Sequence, residues 1–186
     1  MSKIKVSIII PVYNAEKHLK QCLNSLISQT INEIEVICVD DCSTDNSQNI
    51  IEDFNTKDDR IRYFSMRKNS GSGLARNKGI NHAKGEYLSF VDADDHIINT
   101  NCYEEIYKFA HKNSADMVST NLKLFTNDGK YFQNKQCFEI ASPFASSSSS
   151  CIRTFQNKGT PTNLILHCRE QSSASLTPLN IQHEPS

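Results

Sequence analysis

Four short apolar runs in the first half of the chain, each followed by a segment of different character, constrain the fold more than any other feature. They are "KVSIII" from Lys5, "EIEVICVD" from Glu33, "RIRYF" from Arg60 and "EYLSFVD" from Glu86. "KVSIII" is close to continuously apolar, as a parallel strand covered on both faces requires. Between the first two runs, "AEKHLKQCLNSLISQ" puts Leu19, Cys22, Leu23, Leu26 and Ile27 on one helical face. "STDNSQNIIEDF" does the same with Ile50, Ile51 and Phe54, and Ser43, Thr44 and Asp45 are residues suited to capping it. "GLARNKGINHA" reads as a third helix in spite of Gly79, which costs about 1 kcal/mol relative to Ala. "NCYEEIYKFAHKN" reads as a fourth, with Tyr103, Ile106, Tyr107 and either Phe109 or Ala110 inward. Strands alternating with helices predict an α/β fold, a mostly parallel sheet with helices on both faces.

After Met117 the character changes. "MVSTNLKLFTNDGKYFQNKQCFEI" holds an Asn-Asp-Gly-Lys turn between two alternating runs, which predicts a hairpin. From about Ser142 a serine run begins, and four of the five prolines follow, at Pro143, Pro161, Pro178 and Pro185. The expected organisation is one domain over residues 1–140 and an irregular or disordered tail over 141–186. Within that tail "NLILHC" is the one segment able to dock against the sheet as a short strand or helix.

Composition excludes several classes. A chain of 186 residues suffices for one domain with a real core. A net charge of -1 carries no nucleic-acid footprint. No apolar run reaches the length of a bilayer span. The first run is short and meets Pro11 without a small-residue cleavage site, so it reads as a strand and not as a signal peptide. Seven cysteines without a CxxC pair make a poor disulfide or zinc framework, and Cys22 and Cys38 read as buried thiols. A reducing cytoplasm is the expected compartment, with peripheral attachment at a membrane compatible with it.

Asp92, Asp94 and Asp95 follow directly on the fourth apolar run. Carboxylates packed this closely repel, and desolvation adds to the cost, so the cluster calls for a positive partner. In open α/β sheets, ligands bind outside the carboxyl ends of the strands. "PVYNAE", "DDCSTD" and "DADD" all fall at such ends. Each alone reads as readily as a turn or cap; three on one edge read as a site. Asp92-Ala93-Asp94 suits Mg²⁺ or Mn²⁺ bound together with a phosphate, because hard cations take oxygen ligands. In the competing reading, Asp94 and Asp95 cap the helix starting near Asn99.

The ordered stretches "VSIIIPVYNAEKHLKQCLNSLISQT", "IEVICVDDCSTDNS" and "NSGSGLARNKGINHAKGEYLSFVDADD" resemble the family 2 glycosyltransferases with the GT-A fold. The resemblance covers about Lys5 to Phe125. It implies a nucleotide-sugar donor, most naturally a UDP-sugar, a divalent metal and a carbohydrate or lipid-linked acceptor. By the same resemblance Pro11, Val12 and Tyr13 border the nucleotide base. Asp41 accepts from a uracil-type N3–H while Asp40 supports the loop. Arg76 lies near the base or diphosphate, Asp92 meets the ribose, Ala93 separates the two aspartates, and Asp94 holds the metal, with Asp92 and Asp95 as further candidate ligands.

Displacing a nucleoside diphosphate from a sugar requires stabilising the charge that develops on the leaving phosphate, and the acceptor hydroxyl needs a general base. The resemblance implies an inverting enzyme whose base is an aspartate well beyond the D-x-D. No aspartate follows Asp128, and Glu139, Glu170 and Glu184 form no acidic pair. The catalytic base is therefore unassigned, and the change near Ser142 reads as truncation or a shift of reading frame. The rival reading is a nucleotide-sugar-binding remnant. A Rossmann oxidoreductase is disfavoured because "PVYNAE" replaces the Gly-rich phosphate turn; a nucleotidyltransferase is disfavoured for want of an early basic Gly-rich loop.

Overall fold

A computed structural model describes residues 3–121 and the segments 124–125, 131–132, 139–141, 156–157, 160–161 and 163–168, with side chains for residues 3–118. The chain runs β1 (Val6–Val12), α1 (Leu19–Ile27), β2 (Ile34–Asp40), α2 (Ser47–Lys57), β3 (Ile61–Ser65), α3 (Ser72–His82), β4 (Tyr87–Phe90), α4 (Cys102–Lys112) and β5 (Met117–Asn121). Short strands follow: β6 (Leu124–Phe125), β7 (Tyr131–Phe132), β8 (Glu139–Ala141), β9 (Gln156–Asn157), β10 (Thr160–Pro161) and β11 (Asn163–Cys168). The main sheet has the order β3-β2-β1-β4-β11-β5-β8. All its pairs are parallel except β5 with β8. This is the α/β architecture expected from the alternating pattern, and it agrees with the GT-A fold that the resemblance implies.

The side-chain alternation of β1 explains the two layers of helices. Val6, Ile8, Ile10 and Val12 join one core cluster with residues of α1, α2 and α4. Ile9 joins the other, with Ile37, Val39, Leu88 and Ala75 of α3. A strand between two apolar layers must be apolar on both faces, which is why this run does not alternate. In α4 it is Ala110 that is fully buried, beside Tyr103 and Ile106, while Phe109 and Tyr107 pack at the margin. Gly79 has a packing cause. A Cβ there would fall onto the side chain of Ile9, so glycine lets α3 lie close to β1. Gly79→Ala should therefore destabilise the fold by about 1–3 kcal/mol through overpacking, more than the helix-propensity gain of about 1 kcal/mol. Urea titration checks this; an unchanged or higher midpoint would contradict the packing account.

Pro11 sits inside a central strand because of register. Ile9 O accepts from Val91 N–H on the β4 side, so the nitrogen of Pro11, two residues on, faces that same side. There the β1–β4 ladder has already ended at Ile9 and Phe90, and the missing N–H interrupts nothing.

Beyond β5 the antiparallel pair β6–β7 is the expected hairpin, and its turn residues lie outside the described ones. Within residues 141–186, the segment the sequence marks as able to dock does so as a strand. β11, the "NLILHC" segment, pairs in parallel with both β4 and β5 and stands between them in the sheet. Its close run of apolar residues fits a strand with neighbours on both sides. β9 and β10 form a separate antiparallel pair, and the rest of that tail lies outside the described residues.

Chain order reverses at β1: β2 and β3 extend the sheet one way and β4 the other. The crevice at such a switch point is where open α/β sheets bind ligands.

Candidate functional site

Four segments form the carboxyl edge: those following β1, β2, β3 and β4. The first two are laced together. Asn14 adopts a left-handed backbone (φ 49°), a conformation asparagine tolerates better than most residues. Its N–H donates to Ser43 Oγ (3.0 Å), and its Oδ1 accepts from Thr44 N–H (2.8 Å). Ala15 N–H donates to Ser47 Oγ (2.9 Å) and Glu16 N–H to Asp45 Oδ2 (3.0 Å), while Glu16 Oε2 accepts from Asn46 N–H (3.0 Å). The buried carboxylate of Asp40 accepts from Ser43 N–H (3.2 Å) and from the Ser43 hydroxyl. The capping expectation is thus corrected: Asn46 is the N-cap of α2 and makes no side-chain cap bond, and Ser43 and Thr44 face the other loop. Only Asp45 does both, since its Oδ1 accepts from Ser47 N–H (3.0 Å).

Asp41 is buried, and its two oxygens accept from Ser70 N–H (2.8 Å) and Gly71 N–H (2.6 Å). It therefore ties β2 to the start of α3, whose N-cap Gly71 has φ 87°, a backbone that favours glycine. Ionised carboxylate oxygens accept more than one bond each, so Asp41 retains acceptor capacity.

Ala93 is buried in the core cluster of α1 and α4, while Asp94 is exposed and Asp92 and Asp95 are half-buried. A small apolar residue between two aspartates thus anchors the segment. One oxygen from each of Asp92, Asp94 and Asp95 lies within 4.8 Å of the others. Arg76 of α3 reaches Asp92 Oδ1 with Nη2 at 2.6 Å. That ion pair supplies part of the neutralisation the cluster demands. The competing cap reading fails, because α4 starts only at Cys102 with Asn101 as its N-cap, and Asp95 N–H turns back onto Asp92 O (3.0 Å). The trio fits a hard cation: it is all oxygen, and its most exposed member, Asp94, is open to a phosphate-bearing ligand. Cys22 lies beneath it, and burial, reinforced by the charges of Asp95, Asp94 and Asp92, pushes its thiol up to about 12. It stays protonated at neutral pH and does not compete as a thiolate ligand.

Val12 is buried, Pro11 half-buried and Tyr13 exposed. The large exposed apolar residues among the described ones are Tyr13, Leu74 and Ile98, which follow β1, begin α3 and follow β4. Sequence reasoning missed Asn14, the anchoring of Ser70 and Gly71 by Asp41, and Gln29, described below. Of these only Asn14 carried a local signal, an asparagine just after a strand end.

The open, mostly parallel sheet, with acidic loops at its switch point and no Gly-rich turn after its first strand, has the form of a GT-A fold. The sequence matches Glycosyl transferase family 2 over residues 7–170, and the chain belongs to that family. It is 38% identical over 128 residues to Glycosyltransferase GlyG of Streptococcus pneumoniae, a match covering 68% of this chain and 42% of that protein. It is 42% identical over 123 residues to the poly(ribitol-phosphate) beta-glucosyltransferase of Bacillus spizizenii, covering 64% of this chain and 19% of that one. Among solved structures, S. aureus TarS 1-349 in complex with UDP-GlcNAc superposes with a TM-score of 0.62 at 36% identity, over 69% of this chain and 37% of that one. The matches span less than half the length of each of these relatives.

Proposed function

We propose that the chain is the donor-binding part of a metal-assisted, inverting glycosyltransferase that takes a sugar from a UDP-sugar to a carbohydrate or lipid-linked acceptor. The observation that carries this reading is the gathering of Asp92, Asp94 and Asp95 with Arg76 at the switch point of the sheet. The UDP-GlcNAc held by the similar TarS structure supports the choice of donor.

In this reading Pro11, Val12 and Tyr13 border the base, and the spare acceptor capacity of Asp41 takes the uracil N3–H. Asp92 meets the ribose. Asp94, with Asp95 beside it, would hold Mn²⁺ or Mg²⁺, which when bound counters charge on the leaving diphosphate. Arg76 adds a fixed positive charge on the same side and orients Asp92. Asp41→Asn tests the base contact. It replaces an acceptor oxygen by an N–H₂ donor facing either the uracil or a backbone N–H, and should weaken uridine binding by about 1–3 kcal/mol. Metal affinity should hardly change. Destroyed Mn²⁺ binding with intact preference for uridine over cytidine would reverse the assigned roles.

The rival reading is a nucleotide-sugar-binding remnant, which holds the donor without transferring its sugar. Release of UDP from UDP-sugar, measured with and without sugar acceptors, separates the two: acceptor-stimulated turnover supports the transferase, and tight binding without turnover supports the remnant.

A further inference from the structure

One row of side chains on α1 holds the acidic segment in place. Cys22, Ser25 and Gln29 stand at helical spacing (i, i+3, i+7), the last just past the helix end. Cys22 Sγ lies 3.7 Å from Asp92 O. Ser25 Oγ accepts from Ile97 N–H at 3.0 Å. Gln29 is a polar side chain only 4% exposed, and its amide is fully used. Its Nε2 donates to Ser25 O (3.1 Å) and to Asn99 O (2.9 Å), and its Oε1 accepts from Tyr103 N–H (3.2 Å). Next to it Thr30 N–H donates to Thr100 O (2.8 Å).

Burying an amide this deeply is costly unless every donor and acceptor is matched, and here they are. The partners are not within α1 alone: one bond goes to Asn99 O in the loop between β4 and α4, and one comes from Tyr103 N–H in the first turn of α4, just after that loop. That loop carries three carboxylates whose repulsion favours spreading apart, and it has no strand ladder of its own after Val91. A cation site needs the opposite, oxygens held in convergence before the ion arrives, because ordering them at the moment of binding is subtracted from affinity.

We propose that Gln29 is a positioning residue for the carboxylate cluster: it touches neither metal nor nucleotide, and clamps the 92–103 segment so that Asp94 and Asp95 converge. This rests on the donor-site reading above. Gln29→Met keeps the volume and removes both halves of the clamp, and Ser25→Ala leaves the clamp but removes the Ile97 bond together with the hydroxyl's bond to Cys22 O within α1. Mn²⁺ affinity, read by electron paramagnetic resonance on the full chain, should fall roughly tenfold in Gln29→Met and by a smaller factor in Ser25→Ala. Metal-free uridine affinity, which depends on the Asp41 side, should stay within about twofold, a split that general destabilisation would not produce. Without any metal, amide exchange at Asp95, whose N–H bonds within the acidic segment and not to Gln29, should accelerate in Gln29→Met. Unchanged Mn²⁺ affinity with unchanged Asp95 exchange overturns the assignment, as does an equal loss of Mn²⁺ and uridine binding. A wild-type chain that takes no Mn²⁺ sinks the donor-site reading instead, and the metal-free exchange then decides the clamp by itself.

Discussion

Asp94→Ala is expected to abolish the metal dependence of UDP binding while leaving the fold intact. Asp94 is the exposed member of the trio, whereas Asp92 already has one oxygen held by Arg76. Removing Asp94 leaves Asp95 and the constrained Asp92, too few oxygens to complete a shell with a diphosphate. In wild type, UDP titrated by calorimetry should bind at least about tenfold more tightly with Mn²⁺ than in EDTA, a difference of about 1.4 kcal/mol or more. In Asp94→Ala the two titrations should coincide. The sign of the stability change is a second check. An exposed like charge leaves the cluster, so metal-free stability should stay within about 0.5 kcal/mol of wild type. Equal wild-type affinity in EDTA and Mn²⁺ would refute the metal assignment.

Glu35→Ala should produce the largest stability loss of any single substitution considered. Glu35 is 2% exposed and sits on β2, on the face of the sheet covered by α3. Its Oε1 accepts from Ser7 Oγ (2.6 Å) and Lys84 N–H (2.6 Å), and its Oε2 pairs with Arg62 Nη1 (2.6 Å). Arg62 also donates to His82 O (2.8 Å), and Gly85 N–H donates to Ser7 Oγ (2.8 Å). One carboxylate thus joins β1, β2 and β3 to the end of α3. Truncating it leaves the partly exposed Arg62 guanidinium with His82 O alone and Lys84 N–H with only its longer bond to Ser7 Oγ (3.2 Å), so the loss should be about 2–4 kcal/mol. Denaturant titration at unchanged slope measures it. Because α3 also carries Arg76, nucleotide affinity should weaken in the variant even where it remains folded. A loss below about 1 kcal/mol would show that the remaining polar groups find other partners.

Much of this molecule is local in origin and was legible without coordinates. The apolar run before Pro11, the faces of α1 and α2, and the acidic D-x-D after β4 depend on periodicities of a few residues. So does the order of elements, which leaves a parallel sheet as the economical solution. Even "NLILHC" was recognisable as a segment able to dock. What the sequence could not show was where it docks, between β4 and β5, because strand neighbours are chosen by the whole sheet.

The site divides the same way. Carboxylates at strand ends announce themselves through their own chemistry; the groups that aim them do not. Gln29 meets Asn99 and Tyr103 across 70 and 74 positions of chain, and Glu35 meets Lys84 across 49. Gly79 read as a weak point in a helix until Ile9 was seen against it. Asp41 read as a base contact alone, yet it also anchors the start of α3. Residue type and spacing therefore determined the strands, the helices and the reactive groups. Tertiary structure alone decided which groups are held, and by what, because a buried polar atom takes whichever partner packing brings within about 3 Å, however distant in sequence.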